Sequence, residues 1–108
     1  MTTAGEYARF EPLSEQDVID LLRTHEVGRV AWNSAEGLAI VPVAYAFARV
    51  ALAFRTAPDG SLAELADHAD AAFQTDEFDV ETATGRSVLV RAVASRVTEP
   101  TEVADWLS

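Results

Sequence analysis

Three polar residues near the middle of the chain have the types and spacing of a phosphate-binding site. Arg55 and Thr56 close an apolar segment that has the pattern of a β-strand, and Ser61 opens an amphipathic segment shortly afterwards. A guanidinium group makes charge-assisted hydrogen bonds to phosphate oxygens, and the free N–H groups at a helix N-terminus also bind anions. The same residues also fit an exposed strand end followed by an ordinary helix cap. The local sequence leaves both interpretations open.

The remaining reactive residues form no recognisable catalytic or metal-binding motif. No cysteine is present, which excludes thiolate metal sites, cysteine nucleophiles and disulfides. His25 and His68 are far apart in sequence and are expected to be structural or solvated. The acidic residues from Asp76 to Glu81 lack the ligand spacing of a calcium loop and are expected to be solvated. We therefore predict no metal site and no serine nucleophile with a base and an orienting acid.

The composition favours a small globular domain and excludes two classes of partner. The 108 residues are 49% hydrophobic, enough for a packed core in one domain, with residues 1–13 as a lead-in. The net charge is −10, and all eight basic residues are arginines. Nucleic acids and anionic membranes require clustered positive charge, so neither is an expected partner. The longest apolar run, 38–48, is too short to cross a bilayer and no export signal is visible, so we expect a cytoplasmic protein.

Hydrophobic periodicity and turn residues predict the elements that must position these groups. Ser14 and Asp17 have the pattern of a helix start, and that helix is predicted to end near 24–27, with Gly28 as its stop. The predicted strands lie at 29–33, 38–47, 50–56, 71–77 and 87–97. Further helices are predicted at 61–69 and 99–107, a polar loop at 79–85 and a tight reversal at Arg49. This order indicates a mainly β protein, a small antiparallel barrel with helices at its edges.

The second predicted strand is apolar on both of its faces. Its two sides consist of Leu38, Ile40, Pro42 and Ala44, and of Val41, Val43, Tyr45 and Phe47. Segment 88–94 is similar except for Arg91. A small barrel cannot bury both faces of such strands, so the outer face must meet a ligand or another subunit. We therefore predict a homodimer built on these strands, with coverage by the chain's own helices as the alternative. Tyr45 carries the one hydroxyl of this strand and fits either a ligand-facing donor or a core residue, of which we favour the core.

Five segments, in their order along the chain, resemble the pyridoxamine 5'-phosphate oxidase-like family of FMN-binding split β-barrel proteins. The segments are Val27-Gly-Arg-Val-Ala31, Ile40-Val-Pro-Val43, Phe54-Arg-Thr-Ala-Pro58 with Gly60-Ser61-Leu62, Ala72-Phe-Gln-Thr-Asp76 and Ser87-Val-Leu-Val-Arg91. The resemblance covers roughly residues 14–106. It implies a split antiparallel β-barrel with peripheral α-helices, which forms homodimers and binds flavin in two equivalent clefts at the subunit interface.

The resemblance also implies which residues bind FMN. They are Arg55, Thr56 and Ser61 at the phosphate, the backbone groups of Val41, Pro42 and Val43 beside the isoalloxazine ring, Gln74 at the ribityl chain, and Arg86, Ser87 and Arg91 from the partner subunit. Three features depart from the family pattern. Leu62 follows the Gly-Ser pair, where relatives usually place a lysine beside that pair at the phosphate. Arg86 stands where an aromatic residue is usual, and relatives usually continue into another strand beyond Ser108.

The implied function is hydride or electron transfer to an unknown small substrate, with FMN or a related deazaflavin as cofactor. The flavin carries this chemistry itself, so the lack of a catalytic side-chain motif is compatible with it. The departures favour a different class of protein, a split-barrel dimer that has lost flavin and serves as a binding or scaffold module. A third alternative is a haem-binding relative, for which neither histidine lies in a convincing ligand position.

Overall fold

A computed structural model describes residues 11–48, 51–55, 60–67 and 69–97 of the chain. The first element is a ten-residue helix, α1 (Glu15–Thr24), which begins where the sequence predicts. Ser14 is its N-cap, and the Ser14 side-chain oxygen accepts a hydrogen bond from the backbone N–H of Asp17 at 3.1 Å. Acidic residues in the first turn add to this stabilisation, because the N-terminus of a helix carries partial positive charge. The helix ends at His25, whose backbone is extended.

The prediction that Gly28 stops this helix is wrong, because Gly28 lies inside the first strand, β1 (Val27–Ser34). A Cβ atom added to Gly28 would lie 2.3 Å from Cζ of the Phe73 ring and 2.8 Å from the backbone oxygen of Gln74. Real Cβ atoms essentially never approach other atoms this closely. Glycine at this position therefore makes room for a core phenylalanine from another strand.

Four further strands complete the sheet. They are β2 (Gly37–Ala48), β3 (Ala51–Phe54), β4 (Ala69–Asp79) and β5 (Thr84–Ala94). All neighbouring strands pair antiparallel, in the order β3-β2-β1-β4-β5. The prediction of a mainly β, antiparallel fold of the split-barrel type is confirmed. Within the described ranges the sheet is open, because β3 and β5 form its two edges and do not pair with each other.

Several elements differ in extent from the sequence predictions. The helix predicted at 61–69 is a shorter 3₁₀ helix, Ser61–Asp67. The polar loop predicted at 79–85 shrinks to a turn, because the β4–β5 ladder continues to the pair of Asp79 and Thr84. The helix predicted at 99–107 and the reversal at Arg49 lie outside the described residues.

One face of the sheet, here called the inner face, packs against α1 and the 3₁₀ helix. Its fully buried core consists of Leu21, Leu22, Val30, Trp32, Val43, Leu65, Phe73 and Val88. Tyr45 packs against this cluster: its ring meets the Phe73 ring edge-on at 4.7 Å, and its hydroxyl donates to the Leu22 carbonyl at 2.7 Å. Burial raises the pKa of the Tyr45 hydroxyl, which keeps it a neutral donor. The expectation that Tyr45 is a core residue is confirmed.

The opposite face of the sheet, here called the outer face, carries the alternate residues of the same strands. The strand register places Arg29 of β1 between Pro42 of β2 and Gln74 of β4 on this face. No helix in the described part of the chain is both long and apolar enough to cross a membrane.

Candidate functional site

The outer face is an exposed apolar surface. Leu38 and Ile40 of β2 are 91% and 67% exposed, and Leu89 and Val93 of β5 are also exposed on this face. A groove of about 860 Å³, lined by residues of β1, β2, β4 and β5 that include Arg91, crosses it. The predicted two-sided apolar pattern of β2 is confirmed, and its outer side is uncovered by the described residues. Contiguous apolar surfaces of this kind mark interaction sites.

A polar cluster formed by Arg29, Gln74 and Asp76 lies within this apolar face. Arg29 Nε donates to Gln74 Oε1 at 2.7 Å, and Gln74 Nε2 donates to Asp76 Oδ2 at 3.0 Å. Arg29 Nη2 also lies 3.2 Å from Asp76 Oδ1, which makes an ion pair. The resemblance implies a role for Gln74 and none for Arg29. The signal that points to Arg29 is a cation among apolar residues on the exposed side of a strand.

Four of the residues that the resemblance assigns to FMN binding lie on the outer face. They are Pro42, Gln74, Ser87 and Arg91. Pro42 and Gln74 flank Arg29 in a single row across the sheet, and Ser87 and Arg91 lie in the rows on either side of that row. The fold therefore places on one face residues from three strands, β2, β4 and β5.

The other two predicted ring neighbours, Val41 and Val43, direct their side chains to the inner face. This follows from strand alternation on either side of Pro42. The prediction concerns their backbone groups, which lie in the central β1–β2 ladder next to Arg29. These backbone groups are thus in the same part of the sheet as the polar cluster.

The predicted phosphate ligands are described only in part. Arg55 directly follows β3 and is exposed. Ser61 is the first residue of the seven-residue 3₁₀ helix, and Thr56 lies outside the described residues. A phosphate site at these positions therefore stays a prediction.

Arg86 lies on the inner face, on the opposite side of the sheet from its neighbour Ser87. Its Nε donates to Glu77 Oε1 at 2.7 Å, and its Nη2 is in an ion pair with the same oxygen. The other carboxylate oxygen of Glu77 lies 3.0 Å from His25 Nε2. Arg86 and His25 thus tie the β4–β5 hairpin to the residue that ends α1.

No group of three or more histidine, aspartate or glutamate side chains in the described residues could hold a metal ion.

Acid is expected to weaken this three-residue cluster through Glu77. The hydrogen bond with His25, followed by that from Arg86, holds the pKa of the Glu77 carboxyl below its ordinary value of 4.5. A carboxyl whose pKa is lowered in the folded state stabilises the fold above its unfolded pKa, and this stabilisation is lost as the pH falls through the folded value. We expect Glu77→Gln to lower the melting temperature at neutral pH, and the difference from the parent protein to disappear as the pH falls below about 4.5.

The measurement is a series of thermal melts of both proteins between acid and neutral pH. Glu81→Gln is the control, because Glu81 is exposed in the turn between β4 and β5. A melting difference for Glu77→Gln that persists unchanged at the acid end would show that the carboxylate charge is not what stabilises the cluster.

Comparison with known proteins identifies the family of this chain and related folds. Residues 14–108 match the model of the family described as pyridoxamine 5'-phosphate oxidase. A comparison with curated proteins gave no match. The solved structures that are similar include the FAD binding protein from Mycobacterium smegmatis, with 31% sequence identity and a TM-score of 0.76. That match covers 86% of this chain and 76% of the other.

Two further solved structures extend the comparison. A FAD-binding protein from Mesorhizobium loti is 25% identical with a TM-score of 0.58, and the match covers 73% of this chain and 56% of that one. A conserved protein of unknown function from Corynebacterium diphtheriae is 24% identical with a TM-score of 0.66, over 87% of this chain and 72% of that one, and shows a shared fold. With a family match that includes all five strands and a sheet shared with these structures, the chain belongs to the pyridoxamine 5'-phosphate oxidase family.

Proposed function

We propose that this protein binds a flavin nucleotide on its outer face, between two copies of the chain, and acts as an oxidoreductase on a small substrate. The observation that carries the proposal is the exposed apolar outer face, with Arg29, Gln74 and Arg91 on it, in a member of this family. Two similar structures are named as FAD-binding proteins, which supports a flavin as the ligand. FMN is the form that the sequence resemblance implies, so FMN and FAD are both candidates.

The outer-face residues fit the chemistry of a flavin. The isoalloxazine ring is flat and largely apolar, with carbonyl and nitrogen groups at one end. The outer face offers apolar contacts from Ile40, Pro42 and Leu89 beside the hydrogen-bond donors of Arg29. Arg91 is exposed and has no ion-pair partner among the described residues, so its guanidinium is available to a phosphate group. Apolar surface with a few placed polar groups is typical of cofactor sites.

A second copy of the chain is the proposed cover of the outer face. Fully burying a side chain such as Leu38 or Ile40 stabilises an assembly by about 1.5–3 kcal/mol. In a two-fold dimer each such contact occurs twice, so a modest apolar surface has a doubled effect. Ser87 and Arg91 are on this face and are the residues we propose to approach the flavin of the partner subunit. Arg86 is engaged by Glu77 of its own chain, and we propose that it supports the hairpin that carries Ser87.

The chemistry of the proposed reaction belongs largely to the cofactor. A bound flavin supplies hydride or electron transfer. The chain's own contribution is to bind and orient the ring against β1 and β2, to exclude water with apolar side chains, and to hold the anionic part of the ligand with arginine.

Separate titrations of the purified protein with FMN and with FAD test the proposal. Flavin fluorescence and the visible spectrum should show saturable binding of about one flavin per chain. We expect Arg55→Gln to weaken FMN binding about tenfold to a hundredfold, because a charge-assisted hydrogen bond to phosphate contributes about 1.5–3 kcal/mol. Arg23→Gln is the matched control, since Arg23 is an exposed arginine in the last turn of α1 and its loss should leave the affinity unchanged.

Each alternative has its own signature in this experiment. A dimer by light scattering that binds neither FMN nor FAD would contradict the proposal. Binding of a deazaflavin by that dimer would identify the other cofactor class implied by the resemblance, and no binding at all would favour the scaffold module. If the Arg55→Gln variant binds flavin with unchanged affinity, Arg55 is not part of the site, but the proposed function still stands.

A further inference from the structure

The guanidinium of Arg29 is held in a fixed orientation on the outer face by two side chains of β4. Nε donates to Gln74 at 2.7 Å, and Nη2 lies 3.2 Å from Asp76. The Gln74 amide is itself oriented, because arginine only donates and an aspartate carboxylate only accepts hydrogen bonds. A donor that is already oriented loses little entropy when a ligand binds to it.

Part of the hydrogen-bonding capacity of this guanidinium is unused. Nη2 is buried, and although it is in the ion pair with Asp76, it makes no hydrogen bond of good geometry within the described residues. Nη1 has no hydrogen-bond partner in the same part of the chain. The side chain nevertheless keeps 33% of its surface exposed. Within the described residues, Arg29 therefore has a free N–H donor, on Nη1, in a guanidinium whose orientation is fixed and whose surroundings are apolar.

The charge of Arg29 determines which acceptor suits it. The Asp76 carboxylate already balances the positive charge, so a phosphate placed here would be repelled by that carboxylate. A neutral, polarised oxygen such as a ring carbonyl meets no such repulsion and still receives a hydrogen bond from a cation. The apolar neighbours strengthen this bond, because they lower the local dielectric.

We propose that Arg29 is a specificity-determining residue of the outer face, which donates a hydrogen bond to a carbonyl oxygen on the ring system of the bound flavin. Gln74 acts through Arg29 as a positioning residue. This inference rests on the proposed function, and it adds a residue that recognises the ring and not the phosphate.

Riboflavin and FMN together test this assignment, because riboflavin has the ring without the phosphate. Arg29→Gln should weaken the binding of riboflavin and of FMN by the same factor, about tenfold or more, since each loses one charge-assisted hydrogen bond. Arg23→Gln, which removes the same charge from the exposed end of α1, should change neither affinity. A melting curve of each ligand-free variant checks that it is folded.

A second variant tests the positioning role and does not depend on the stability of the first. Gln74→Leu keeps the charge of Arg29 and removes the acceptor for its Nε, so it should weaken both ligands several-fold. Added to Arg29→Gln it should cause no further loss, because two residues that act through one contact are not additive. A full additional loss in the double variant would overturn the positioning role.

The outcomes separate this inference from the function on which it rests. If the parent protein binds flavin and Arg29→Gln binds riboflavin equally well, the inference is wrong and the function stands. If Arg29→Gln weakens FMN alone, the contact is to the phosphate and the ring assignment is overturned. If the parent protein binds no flavin, both are overturned.

Discussion

Gly28→Ala is expected to lower the free energy of unfolding by about 3 kcal/mol, the upper part of the range for overpacking of a core. The added methyl group would lie 2.3 and 2.6 Å from two atoms of the Phe73 ring and 2.8 Å from the Gln74 backbone oxygen. Phe73 is buried and in contact with Tyr45, so its ring has no free space to move into. The backbone oxygen belongs to the neighbouring strand and moves only if the sheet does. Urea unfolding of the two proteins measures the difference.

Gly85→Ala provides the matched control. Its added Cβ would lie 2.9 Å from a ring atom of Phe78 and 3.2 Å from the Glu77 backbone oxygen. Phe78 is 67% exposed, so its ring can rotate away into solvent. We expect a much smaller loss of stability than for Gly28→Ala. Equal losses in both variants would mean that the general preference for glycine, and not the Phe73 ring, decides the residue at position 28.

Ile40→Glu should convert the proposed dimer to a monomer and abolish flavin binding with it. Ile40 is exposed at the β2 end of the row that continues through Ala31 and Ala72 to Arg91. Burying an unpaired carboxylate between two copies costs several kcal/mol per site, and the two-fold symmetry places it there twice. We expect the dissociation constant of the dimer to rise at least a hundredfold, measured by sedimentation or light scattering over a range of concentrations.

Val80→Glu is the control for this variant, because it makes the same kind of change at an exposed apolar residue in the β4–β5 turn, away from the groove. Val80→Glu should remain dimeric and bind flavin. A dimer that persists in Ile40→Glu would place the subunit interface elsewhere. If Ile40→Glu is monomeric and still binds flavin tightly, the site is complete within one chain.

The general fold was predictable from the sequence because it depends on local patterns. Apolar strands and a capped helix are readable from periodicity and from Ser14, and they gave the antiparallel sheet. The role of Gly28 was not predictable, because a glycine that ends a helix and a glycine that makes room within a strand look alike in sequence. The difference depends on Phe73, which is remote in the chain and adjacent only in the sheet. The predicted β4–β5 hairpin is shorter than the observed one for a similar reason. The polar residues at its end have the pattern of a loop in sequence, but they pair across the two strands.

The candidate site was predictable from the sequence only in part. Strand alternation gives the face on which each residue lies, but it does not give the residues that are its neighbours on the adjacent strands. Pro42, Gln74, Ser87 and Arg91, which the resemblance assigns to the flavin, lie on one face of the sheet, and their role in binding stays a prediction. Arg86, which the resemblance assigns to the flavin together with Ser87, lies on the opposite face of the sheet, because adjacent residues of a strand point to opposite faces. Arg29 stands out in the sequence as a cation among apolar residues, but its contacts with Gln74 and Asp76 depend on the β1–β4 register, which sequence periodicity does not provide.

Three hydrogen bonds hold the end of α1, the start of β1 and the connection between them against the sheet. The Tyr45 hydroxyl binds the carbonyl of Leu22, the Tyr45 backbone N–H binds that of Glu26 at 2.9 Å, and the Thr75 hydroxyl binds that of Val27 at 3.0 Å. The anchoring groups belong to β2 and β4, the two strands that flank β1, so release of this connection breaks three hydrogen bonds to the centre of the sheet. The end of α1, the connection and the central strands consequently form one cooperative unfolding unit, in which the helix cannot swing away independently as a hinged lid.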